Sequence, residues 1–76
     1  MTSLDFLNVG DSAHIHAIDA EASLLHRLSA LGFRSGKRIK VIRRAKFNGP
    51  IHVRIGTTDI ILRTTEARRI KTSHAV

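Results

Sequence analysis

The 76-residue sequence predicts a mainly β fold: a small, partly open barrel of about five strands with one short α-helix after the first strand. Three observations predict it. Apolar and polar side chains alternate over short segments, the period of a strand with one buried face. Glycine-bearing turns separate those segments. One stripe, Leu24, Leu28 and Leu31, has instead the i, i+4, i+7 spacing of a helix face.

The elements follow in order. Gly10-Asp11 is a turn signal, and Ser12–Ile18 is the first strand, with Ala13, Ile15 and Ala17 facing inward. Asp19 has the chemistry of a helix N-cap, and Glu21 suits the positive end of the helix dipole. Leu24, Leu28 and Leu31 make the buried helix face, Leu25 lies beside it, and His26, Arg27 and Ser29 lie away from it. Gly32 ends the helix, where a residue tolerating φ > 0 is most needed. About three helical turns are marginal alone, so packing on the sheet must hold them. Residues 37–44 form the next strand, with Ile39 and Val41 inward and Arg38, Lys40 and Arg44 outward. Phe47-Asn48-Gly49-Pro50 is a turn in which Asn-Gly supplies φ > 0. Ile51, Val53 and Ile55 then face in, Gly56-Thr57 makes a tight hairpin, and Ile60 and Leu62 face in from residues 59–63. Residues 65–67 read as a short turn, 68–72 as a last strand with Ile70 inward, and 73–76 as a frayed tail. Phe6 and Phe33 are expected in the core. The whole of 1–76 is one domain, without internal repeat or linker.

A chain this small buries only about 60% of its unfolded surface, so its core is small. With no cysteine it has neither disulfides nor thiolate metal sites, which fits a cytoplasmic protein. The first six residues lack the basic and apolar regions of a signal peptide. No apolar run approaches the roughly 18 residues of a membrane span. The formal charge of +7, from 13 Lys and Arg against 6 Asp and Glu, points to an anionic partner: nucleic acid, an acidic protein face or phospholipid head groups.

One ordered set of residues resembles the FeoA family, ferrous iron transport protein A. It comprises Gly10, Ala13, Ile15, Leu24, Arg27-Leu28, Leu31-Gly32-Phe33, Gly36, Ile39, Val41, Gly49-Pro50-Ile51, Val53, Gly56, Ile60, Leu62-Arg63, Ala67 and Ile70. The phrase RLSALGFRSGKRIKV is similar to that family's RL-x-x-LG element, and the likeness spans residues 4 to 72. The resemblance implies an SH3-like barrel and a cytoplasmic accessory of bacterial ferrous iron uptake. It implies contact with FeoB, a membrane transporter with a cytoplasmic G-protein domain. The same fold occurs as the C-terminal domain of iron-dependent repressors of the DtxR kind; this chain has no room for their helix-turn-helix.

Candidate sites are few. His14 and His16, at i and i+2, project from one strand face, but a metal site needs further ligands and none is placed with them. His26, His52 and His74 are dispersed. No metal site and no cofactor are therefore expected. The serines lack a nucleophile–base arrangement, Asp59 and Glu66 are not paired as acid and base, and no phosphate-binding glycine loop occurs, so the chain is not expected to be an enzyme. Leu25, His26 and Arg27 are the candidate partner-docking residues, an apolar anchor with a polar rim. Arg38, Lys40, Arg43, Arg44, Lys46 and Arg54 form a second, basic surface. Nucleic acid is the alternative partner there, but three Phe and no Tyr or Trp make a thin stacking platform.

Overall fold

Alternation becomes strand wherever the sequence predicts it. The computed structural model describes residues 2–74. In chain order the elements are β1 (Thr2–Ser3), a 3₁₀ turn (Leu4–Phe6), β2 (Ser12–Ile18), α1 (Ala22–Ala30), β3 (Arg38–Arg44), β4 (Ile51–Ile55), β5 (Thr58–Leu62), α2 (Thr64–Ala67) and β6 (Ile70–His74). The six strands make one antiparallel sheet in the order β1-β6-β2-β3-β4-β5. It curls around a core of Leu4, Leu7, Ala13, Ile15, Leu28, Phe33, Ile39, Val41, Ile51, Val53, Ile55, Ile60, Leu62, Ala67 and Ile70. Among the described residues no ladder joins β1 to β5, so the barrel stays open there.

The helix starts later than Asp19 suggests. Its N-cap is Glu21, with no side-chain cap, and Asp19 stays with the sheet, its backbone N–H donating to the Arg69 carbonyl at 2.8 Å. That bond extends the β2–β6 pairing instead. The far end is as expected. Gly32, at φ +100°, follows the cap residue Leu31. Phe33 N–H bonds Leu28 O and Gly32 N–H bonds Ser29 O, the paired bonds of a Schellman motif. Leu28 and Phe33, the hydrophobic pair of that motif, are both buried. Leu28 alone of the leucine stripe is fully buried. Leu24 is half-buried, and Leu31, the cap residue at the end of α1, is 40% exposed.

Two bulges account for the other departures. In β2 the pairing with β6 shifts between Ile15 and Ala17, which leaves Ala17 exposed and returns Ile18 opposite Ile70. In β3 the shift between Val41 and Arg43 pairs Arg44 with the core residue Ile51. Arg44 is thereby turned inward, not outward. Its guanidinium donates to the Asp5 carbonyl at 2.6 Å and to the Leu7 carbonyl, tying the 3₁₀ turn to the barrel. Residues 64–67 form a single α-helical turn. The last strand runs through Ser73 to His74, opposite His14 and Ala13, so residues 73 and 74 are sheet and not a frayed tail; residues 75 and 76 lie outside the described residues. Phe33 is core, but Phe6 is exposed.

Candidate docking groove

The site begins with a salt link that sequence separation hides. Arg27 on α1 donates to Glu66 on α2, 39 residues away, while the second Glu66 oxygen accepts the Arg63 backbone N–H at 2.9 Å. Glu66 thus starts α2 and fixes the Arg27 guanidinium against it. On one side of this link lies a groove of about 480 Å³ between α1 and β5, lined by Arg27, Leu31, Pro50, Ile61, Arg63 and Glu66 among others. Leu31 and Ile61, 40% and 63% exposed, give the groove an apolar floor and lip. Arg63 is exposed at its edge. On the other side lies a recess of mixed charge, lined by Asp19, Glu21, Leu24, Glu66 and Arg69 among others.

The sequence candidates separate here. Arg27 lines the groove. Leu25 and His26 are exposed on the same helix but do not line it. Leu31 and Ile61, which sequence reasoning passed over, do. Leu31 carried the signal of a core leucine, and Ile61 was an outward position in a strand whose cross-chain neighbour could not be read.

The basic surface is thinner than the sequence suggests. Lys40 stands directly opposite Arg54, and Arg38 opposite His14. Arg38, Lys40, Arg54 and Ser12 line a shallow recess. Arg54 is committed to Asp59, with Nε 2.6 Å from Oδ1 and Nη2 3.1 Å from Oδ2, and Arg44 to backbone carbonyls. The Arg54 guanidinium holds the Asp59 carboxyl down at about 2, with His52, whose Nε2 is 3.0 Å from Asp59 Oδ2, adding to the effect against partial desolvation. His14 and His16 are both exposed, and among the described residues no three His, Asp or Glu side chains come together as metal ligands. No described helix is long and apolar enough to cross a membrane.

Comparison with known proteins gives a consistent picture. The FeoA domain family model matches residues 2–73. A Campylobacter jejuni chain named Fe(2+) transport protein A is 35% identical over 69 residues, covering 91% of this chain and 93% of that one. The solution structure of the Chlorobium tepidum FeoA protein superposes with a TM-score of 0.92 at 31% identity, over 99% of this chain and 71% of that one. The crystal structure of Stenotrophomonas maltophilia FeoA complexed with zinc has a TM-score of 0.84 at 27% identity, covering 96% and 91%. That protein is described as a procaryotic SH3 domain protein and a candidate ferrous iron transport activating factor.

Proposed function

The chain belongs to the FeoA family, and from that premise we propose that it is a non-enzymatic accessory of ferrous iron uptake, working in the cytoplasm by contact with the cytoplasmic region of a FeoB-like membrane transporter. The SH3-like sheet is the rigid scaffold and the α1–β5 groove is the contact. The observation that carries this reading is the groove itself: Leu31 and Ile61 offer exposed apolar area, and Arg27, locked by Glu66, stands beside them with its charge already oriented. An apolar centre with a positioned arginine at its rim has the make-up of a protein-binding hot spot. The partner segment complementary to it carries an aliphatic or aromatic side chain flanked by a carboxylate, which Arg63, exposed at the groove edge, can meet. Leu25 and His26 extend the contact along the helix.

Co-purification with the cytoplasmic region of the transporter, with and without guanine nucleotide, tests the reading. Wild type is retained, and Ile61→Asp and Leu31→Asp, both at exposed positions, are lost while remaining folded. Retention of both variants at wild-type level contradicts the groove. Failure of the wild type to bind in either nucleotide state contradicts the partner.

A further inference from the structure

Two of the three phenylalanines stand in solvent at one end of the barrel. Phe6 is 72% exposed and Phe47 is 98% exposed. Three tethers gather that end. Arg44 donates to the carbonyls of Asp5 and Leu7, on either side of Phe6. Thr64 Oγ1 donates to the carbonyls of Asn48 at 2.6 Å and Gly49 at 3.1 Å, just beyond Phe47. Arg68 Nε lies 3.7 Å from Asp5 Oδ2. Phe47 is the first central residue of the turn closed by Gly49 N–H to Lys46 O, and its φ is +59°. A bulky residue there carries a steric cost that glycine would avoid. A fully exposed aromatic held in a strained turn has no role in the core. Such outliers concentrate where a side chain must be presented.

The sequence on either side of Phe47 carries charge of one sign. No acidic residue occurs between Glu21 and Asp59, and Lys46, next to Phe47, and Arg43, four residues before it near the end of β3, are exposed. Asp5, the acid of the 3₁₀ turn, is half-buried and faces Arg68.

We propose that this end of the barrel seats on an anionic lipid surface, with Phe47 and Phe6 entering the headgroup–acyl boundary and Arg43, Lys46 and Arg68 meeting the headgroup phosphates. Apolar tips ringed by cations have the chemistry of interfacial binding. The two phenylalanines project from separate elements, each with most of its surface in solvent. A deformable lipid phase accepts both, whereas a folded partner would need a matched pocket for each. Stacking on nucleic acid needs aromatics along a groove, and these stand at a tip. The inference stands without the transporter reading; its surface adjoins the groove at Pro50 but shares neither phenylalanine with it.

Co-sedimentation with phosphatidylcholine vesicles and with mixed phosphatidylcholine–phosphatidylglycerol vesicles tests it. Wild type binds the mixed vesicles, weakly or not at all the neutral ones, and less as salt rises. Phe47→Gly and Phe6→Ser each lower the partition coefficient about tenfold or more, in line with the apolar surface lost. Phe47→Gly does so while unfolding at a higher temperature than wild type, which separates binding from fold. Phe47→Trp shows a blue-shifted emission with mixed vesicles alone. No sedimentation with mixed vesicles at low salt overturns the proposal. So does wild-type partitioning of Phe47→Gly, which would leave a charge effect with no aromatic anchor.

Discussion

Strands β3, β4 and β5 are joined by two hairpin turns made by opposite means. The β4–β5 turn uses Gly56 at φ +60°, where an added Cβ would meet nothing within 4 Å, followed by Thr57. The β3–β4 turn puts Phe47 and Asn48 at φ +59° each. A glycine is at hand, Gly49, but it serves close approach: a Cβ there would stand 2.6 Å from the Ala45 Cβ. Where only a reversal is needed, the chain uses the residue that reverses most easily. Where a strained residue is tolerated in its place, that residue's side chain is fully in solvent and follows a lysine, Lys46. The difference separates a turn serving the fold from a turn serving a surface.

Substitutions can break that comparison, and the largest effect belongs to Gly49. Gly49→Ala forces its methyl group into Ala45 and is expected to destabilise by about 2–3 kcal/mol, read from urea or thermal unfolding. Gly56→Ala meets no neighbour, so it carries only the left-handed conformational cost, about 1–2 kcal/mol. Phe47→Gly runs the other way and stabilises by about 1 kcal/mol, a rise of several degrees in Tm for a domain this size. If Phe47→Gly destabilised instead, the turn would not be strained and the contrast between the two hairpins would fail. The smallest effect sharpens the β4–β5 side. Asp59 is depressed to about 2 by Arg54, so its contribution to stability is present above the unfolded carboxylate range near 4 and lost as pH falls towards 2. The Tm difference between wild type and Asp59→Asn should therefore be small at pH 6 and close as pH approaches 2; the pair is exposed and solvent-screened.

Strand positions were legible wherever alternation was unbroken. Ile51, Val53 and Ile55, and Ile60 and Leu62, face inward as their period of two requires. Alternation misled at the bulges, because a ladder shift is set by the partner strand: Ala17 turned out and Arg44 turned in. Asp19 reads as a cap because cap chemistry is local, but its backbone pairs with Arg69 across the sheet and the helix starts only at Ala22. The same limit applies to the groove. Arg27 could be nominated from its helix face, but its link to Glu66 and its nearness to Ile61 exist only once the sheet has curled. Phe6 was expected to be buried because phenylalanine usually is. The charge between residues 22 and 58 was plain from composition. Which of those cations remain available was not, since Arg44 and Arg54 are already committed.

The two proposed surfaces differ in shape: the groove is apolar and concave, the hairpin end apolar and projecting. An NMR titration of the isotopically labelled chain with the unlabelled cytoplasmic region of a FeoB-like transporter tests the central claim most directly. The account predicts that amide shifts concentrate at residues 25–32 and 60–66, leaving Ser12, Arg38 and Lys40 unmoved. Shifts confined to Ser12, Arg38, Lys40 and Arg54, or none at saturating partner, would contradict it.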